Sequence, residues 1–116
     1  MTTEEIRKTI KKRSTINNEW DYGIQQRRDD ILKVLSENLN ETINFIENNC
    51  TAEEFSWLSE IFNEIIDIFP SKIIIETLRK TAKKFPIEVE KYNINYFINE
   101  ADKHLDFIQQ DSNANR

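Results

Sequence analysis

Turn-forming residues are scarce in this 116-residue chain, which holds one glycine, two prolines and one cysteine. Sheets joined by hairpins rely on glycine at tight turns, and neither Asn-Gly nor Asp-Gly occurs here. A hydrophobic content of 38% is enough for a packed core, and the length suits a single domain spanning residues 1–116. The sequence therefore predicts an all-α fold, a compact bundle of six to seven short helices.

Other absences concern the compartment. The single cysteine, Cys50, excludes an intramolecular disulfide and gives no support for an oxidising environment. No charged segment followed by an apolar one opens the chain, and no apolar run reaches about 18 residues. We expect a soluble, cytoplasmic protein that does not cross a membrane. The basic residues 1–19 have little apolar surface and predict a solvated helix or arm, and the polar segment 111–116 is expected to fray.

Positive charge is absent from Val34 to Ser71, although eight carboxylates lie there. The whole chain has a formal net charge of −5, so the rest of it is net positive and the acidity is local. A negative face suits a basic protein partner, whereas it would repel the phosphates of a nucleic acid. The acids are Glu37, Glu41, Glu47, Glu53, Glu54, Glu60, Glu64 and Asp67.

Capping and breaking residues place the first helices. We expect a helix over about residues 24–37, after a break at Gly23. Asn38 and Asn40 are natural caps for a short third helix, which ends at Asn48-Asn49-Cys50.

The second half of the chain has clearer helix ends. Thr51 and Glu54 have the spacing of a capping box, and Pro70 prevents the helix that follows from continuing. Ser71 is a cap for a fifth helix, and Pro86 suits the first turn of a sixth. A seventh begins near residue 95, with its predicted inner side formed by Phe97, Ile98, Ala101, Leu105 and Ile108.

The helix between Thr51 and Pro70 has the most distinctive pattern. On a wheel of about 100° per residue, its broad apolar face contains Phe55, Leu58, Phe62, Ile65, Ile66 and Phe69, extended by Trp57, Ile61 and Ile68. Four acids gather on the opposite side in a stripe bordered by Trp57, and like charges at i,i+4 destabilise a helix by about 0.2–0.5 kcal/mol. These acids are Glu53, Glu60, Glu64 and Asp67.

Two interpretations of the acidic stripe remain open. It is either a solvated face balanced by basic residues elsewhere in the bundle, or a recognition face in which the acids orient a partner and Trp57 is an anchor. The basic candidates are Lys83 with Lys84, or Arg27 with Arg28. The candidate partner-binding residues are Glu53, Trp57, Glu60, Glu64 and Asp67.

Catalytic patterns are weak. Glu64-x-x-Asp67 has the spacing with which helical nucleotide pyrophosphohydrolases hold magnesium, but an equivalent acidic set on a second helix is absent. Cys50 and His104, the single cysteine and histidine, cannot form a transition-metal cage without carboxylates. A glycine-poor chain offers little for an oxyanion hole. We expect no enzyme activity, no metal and no cofactor, with Cys50 at a helix junction and His104 at the surface.

Three segments have the residue pattern of a known family, namely Cys50–Phe62, Lys91–Ile94 and Phe97–Ala101. Between Trp20 and Leu105 the chain resembles the small all-helical immunity proteins of bacterial contact-dependent growth inhibition and related polymorphic toxin systems. The basic residues 1–19 are not part of the resemblance.

The resemblance implies an immunity protein that binds a cognate toxin domain inside the producing cell and neutralises it stoichiometrically, without catalysis. Toxins of this kind are often nucleases with basic clefts, and carboxylates imitate the phosphates that such a cleft holds. The alternative from another class is a helical regulatory or scaffold protein that binds a different cytosolic partner. The third hypothesis is the magnesium-dependent nucleotide pyrophosphohydrolase.

Overall fold

Every secondary-structure element in the described part of the chain is helical. The computed structural model describes residues 3–16 and 21–114, with side chains for 3–16 and 22–110. Seven helices follow one another there, which confirms the all-α prediction. They are α1 (Thr3–Ser14), α2 (Asp21–Leu35), α3 (Leu39–Asn44, continued by a π-helical turn Phe45–Asn49), α4 (Ala52–Leu58, a 3-10 turn Ser59–Ile61, then Phe62–Ile68), α5 (Lys72–Ala82), α6 (Pro86–Lys91) and α7 (Ile94–Ala114).

The predicted caps determine where several helices begin. The Asn38 side chain accepts a hydrogen bond from the backbone N–H of Glu41 at 3.0 Å. Thr51 and Glu54 form both bonds of the predicted capping box at 3.1 and 2.9 Å, and Ser71 caps α5. Pro86 occupies the first turn of α6, where its missing N–H is no loss.

Three boundaries differ from the sequence prediction. Helix α2 begins at Asp21 and includes Gly23, which is buried in its first turn and does not break it. A glycine is most destabilising in the interior of a helix, and Gly23 lies in the first turn, where the backbone N–H groups have no partner within the helix in any case. Asn40 lies inside α3 and is not its cap. Helix α7 continues through Ala114, so residues 111–114 of the tail expected to fray are helical, and residues 115–116 lie outside the described part.

Helix α4 lies at the centre, in contact with α1, α2, α6 and α7. Most of its predicted apolar face is buried, with Phe55 packed against Phe62 and Phe85 at ring-centroid distances of 5.6 and 6.0 Å. Three members of that face are only partly buried: Trp57, Ile68 and Phe69. The inner side of α7 is confirmed for Ile98, Ala101 and Leu105, and Ile108 is partly buried against the core. The prediction is wrong for Phe97, which is 40% exposed because it lies on the flank of α7 that faces a surface groove.

Helix α1 belongs to the hydrophobic core. Ile6 and Ile10 are 1% and 2% exposed, and α1 packs against both α2 and α4. The basic residues of this segment are therefore carried on a docked helix, and two of its arginines reach α4.

Candidate functional site

Helix α4 has an irregular turn in the region where the candidate acids were expected to form one stripe. The 3-10 turn ends at Ile61, whose backbone angles are φ −123° and ψ 18°. A 3-10 turn rotates the chain by about 120° per residue, whereas an α-helix rotates it by about 100°, so the wheel of a straight helix does not hold beyond it. The candidates fall into two groups: Glu53, Trp57 and Glu60 line one groove, and Glu64 and Asp67 are not among its lining residues.

Glu60 is held by two arginines of the same chain. Its carboxylate accepts hydrogen bonds from Nε and Nη2 of Arg13 at 2.8 and 2.7 Å, in a two-pronged pair that joins α1 to α4. Arg28 of α2 approaches the same carboxylate at 3.4 Å. Glu60 is thus 24% exposed and its charge is compensated within the fold. Of the balancing residues considered from sequence, Arg28 has this role, and Arg27 pairs with Asp30 instead.

Arg13 is a buried arginine that stacks on Trp57. Its side chain is 3% exposed, and its guanidinium carbon lies 4.7 Å from the centroid of the Trp57 ring. Contact of a cation with an aromatic face is favourable, most of all for tryptophan. Two buried donors, Nη1 of Arg13 and Nε1 of Trp57, have no acceptor in the part of the chain that the structure describes.

The buried ion pair of Arg13 differs from the sequence prediction, in which the whole basic segment 1–19 is solvated. A signal was present: Ile6, Ile10 and Arg13 follow the i, i+4, i+7 spacing of one helical face. The first two are core residues, so the third points toward the core as well. A basic residue in register with an apolar stripe is a candidate for a buried ion pair.

The surface beside this cluster is a groove with a volume of about 560 Å³, which we call the aromatic groove. Tyr92 and Phe97 form one of its sides and are 46% and 40% exposed. Next to them, Tyr96 makes an edge-to-face contact with Phe97 at a centroid distance of 5.4 Å. The full lining is Arg13, Ile24, Glu53, Ser56, Trp57, Ser59, Glu60, Tyr92 and Phe97.

A left-handed residue shapes this side of the groove. Asn93 connects α6 to α7 with φ 54°, and asparagine tolerates this conformation better than most residues. The resulting sharp junction places Tyr92, at the end of α6, and Phe97, in the first turns of α7, on the same groove. The sequence does not predict that Tyr92 and Phe97 line the same groove, because their proximity depends on the backbone conformation of Asn93.

The other candidate acids lie on the surface. Asp67 contacts the His104 ring at 2.6 Å, which joins α4 to α7. Glu53 and Glu64 are exposed, and neither forms an ion pair with the side chains that the structure describes. Elsewhere in the acidic stretch, Arg7 pairs with Glu54 at 3.2 Å. Within α4, the exposed carboxylates are therefore those of Glu53, Glu64 and Asp67.

Cys50 is buried at the end of the π-helical turn, the helix-junction position expected for it. Its thiol donates to the carbonyl of Ile46 at 3.4 Å, and burial raises the pKa of the thiol to about 12. Within residues 3–16 and 22–110, histidine, cysteine and acidic side chains form no group of three that could hold a metal ion. None of the described helices has the length and apolar character needed to cross a bilayer.

Comparisons of this chain with protein-family models, with curated proteins and with solved structures found no match.

Proposed function

We propose that the protein is a toxin inhibitor of the immunity type, which binds a cognate bacterial toxin domain and neutralises it stoichiometrically. The observation that carries the proposal is the aromatic groove with its acidic edge. Trp57, Tyr92 and Phe97 meet there beside a fixed arginine, and Glu53 lies on the same lining. The resemblance of the chain to immunity proteins supplies the class of partner.

The composition of the groove favours binding to another protein. When interface residues are replaced by alanine one at a time, the largest losses of affinity are found most often at tyrosine, tryptophan and arginine. Tyr92 and Phe97 each leave almost half of their side-chain surface in water, so a partner that covers them removes apolar area from solvent. The guanidinium of Arg13 stacks on the ring of Trp57, and this contact restricts the orientation of the ring before the partner binds.

The exposed acids favour a basic partner. Glu53 and Glu64 are free of intramolecular ion pairs among the described residues, and Asp67 lies farther along the same helix. Uncompensated charge at the edge of an interface accelerates association with a partner of opposite sign. A nuclease toxin with a basic cleft is such a partner. In this proposal the inhibitor acts in the cytoplasm of the producing cell and performs no reaction itself.

The test is binding and protection with the product of the open reading frame adjacent to this gene, taken as the candidate toxin. Wild-type protein should protect cells that express the toxin and should bind the purified domain. The double variant Glu53→Lys/Glu64→Lys should associate about tenfold more slowly at low ionic strength, and Tyr92→Ala should weaken the equilibrium affinity by about tenfold or more. Surface plasmon resonance measures both constants.

Glu76→Lys is the matched control. It makes the charge change of either single substitution, half that of the double variant, at an exposed position of α5 that does not line the groove, and it should leave both the rate and the affinity near wild type. Absence of binding and of protection by the wild-type protein would refute the proposed function. Wild-type-like behaviour of Tyr92→Ala would place the interface elsewhere.

A further inference from the structure

Two residues that line the aromatic groove each contain a buried hydrogen-bond donor that has no acceptor among residues 3–16 and 22–110. The donors are Nη1 of Arg13 and Nε1 of Trp57. A buried donor without a partner is destabilising, more so when it belongs to a charged group. Such atoms are normally satisfied by a side chain, by ordered water or by a ligand.

The charges around these donors favour an anion as the missing acceptor. Among the side chains that the structure describes, Arg13 and Arg28 share the carboxylate of Glu60, so these three groups together have one positive charge in excess. Arg13 is 3% exposed, and water therefore compensates little of its charge. A carboxylate supplies both an acceptor and the opposite charge, and hydrogen bonds between ionised groups are stronger than those between neutral ones.

We propose that the floor of the groove is a subsite for a carboxylate that a protein partner inserts, as an aspartate or glutamate next to an apolar residue. The apolar neighbour packs against Tyr92 and Phe97, and the carboxylate accepts from Arg13 and Trp57. This inference rests on the proposed function only in taking the groove as the partner-binding surface. It adds that the partner, although basic as a whole, presents one acid at the centre of the contact.

Glu53 gives the subsite an internal control. It lies on the same lining and repels an incoming carboxylate, but it is exposed, so water and salt weaken that repulsion. Removing its charge should strengthen carboxylate binding, whereas the same change should weaken the association with a basic partner as a whole. The two effects have opposite signs and separate the subsite from the steering surface.

The experiment compares two capped dipeptides, acetyl-Phe-Asp-amide and acetyl-Phe-Asn-amide, by titration into the ¹⁵N-labelled full chain. The reporter is the indole Nε1–H signal of Trp57 in a two-dimensional NMR spectrum, assigned by its loss in Trp57→Phe. The Asp peptide should shift this signal saturably, and the Asn peptide should bind about tenfold more weakly. Glu53→Gln should tighten the binding of the Asp peptide about two- to fivefold.

An equal response to both peptides, or no response to either, would overturn the carboxylate subsite and leave ordered water as the acceptor of these donors. Neither result bears on the toxin experiment, since Tyr92→Ala tests the groove with the whole partner. Conversely, a saturable Asp-specific shift together with no protection from the toxin would retain the subsite and reject the proposed function.

Discussion

Arg13 and Glu60 are buried to different extents, so we expect the free energy of unfolding to fall by different amounts when one or the other is replaced. Glu60→Gln keeps the size of the side chain and one acceptor, but it removes the charge that compensates a guanidinium only 3% exposed. Arg13→Met removes that guanidinium and fills the space of its stem with an apolar chain. The carboxylate left behind is 24% exposed and still has Arg28 at 3.4 Å. We therefore expect Glu60→Gln to be the more destabilising change.

The magnitudes follow from the burial of the two partners. Removing one member of a fully buried pair costs about 3–5 kcal/mol, and an exposed pair contributes about 0.2–1 kcal/mol. Because Glu60 is partly solvated and Gln can still accept one bond, we expect Glu60→Gln to lower the free energy of unfolding by about 2–4 kcal/mol. For Arg13→Met we expect about 1–2 kcal/mol, since the apolar contacts of the stem are largely kept.

Urea unfolding followed by far-UV circular dichroism measures both values, and the double variant completes a mutant cycle. Arg27→Met is the matched control, because the Arg27–Asp30 pair is about one-third exposed on each side and its loss should cost about 0.5 kcal/mol or less. A larger loss for Arg13→Met than for Glu60→Gln would refute the argument from burial. So would a value for Glu60→Gln that matches the control.

Three further predictions concern single sites. Thr51→Ala should lower the free energy of unfolding by about 1 kcal/mol, measured by urea unfolding, because it removes one half of the capping box with Glu54. Cys50 should resist iodoacetamide in the folded protein, because burial raises its pKa to about 12 and leaves little thiolate, and it should react readily once the chain is unfolded in urea; modification is measured by mass spectrometry. The hydrogen bond from Lys72 lowers the pKa of Asp102, so this carboxylate stabilises the fold above its ordinary pKa and the effect is lost as the pH falls through the lowered value. Asp102→Asn should therefore lose less stability on acidification than wild type, measured as the urea midpoint at neutral and acid pH.

The parts of the fold that sequence reasoning predicted well are those with local causes. The N-caps and prolines act over three or four residues, so Thr51, Ser71 and Pro86 mark true helix starts. The apolar face of α4 was equally visible, because periodicity is a property of the segment itself. Gly23 gave a wrong boundary because its local tendency to break a helix does not decide where α2 begins, and the residue is buried in the first turn of that helix.

The candidate site was predicted less completely because it depends on contacts between distant segments. Trp57 and Glu53 were identified on their own helix, yet Tyr92 and Phe97 reach the groove only through the left-handed Asn93. Glu60 lines the groove, but its carboxylate is already paired with Arg13 and Arg28 and is not available to a partner in the way the sequence suggested. Its partner Arg13 comes from a segment that appears solvated when its charges are considered without the register of its isoleucines.

The acidic residues concentrated between Val34 and Ser71 have two separate roles. Arg7 pairs with Glu54 and Arg13 with Glu60, and both pairs join residues 47 positions apart. The equal offset means that α1 and α4 run side by side in the same direction, with their charges in register. Part of the acidity therefore specifies how α1 docks, and reversing it would impair folding before it impaired recognition. Glu53 and Glu64 lie outside this register and form no ion pair among the described residues, so their reversal leaves the docking of α1 intact and is the better test of binding.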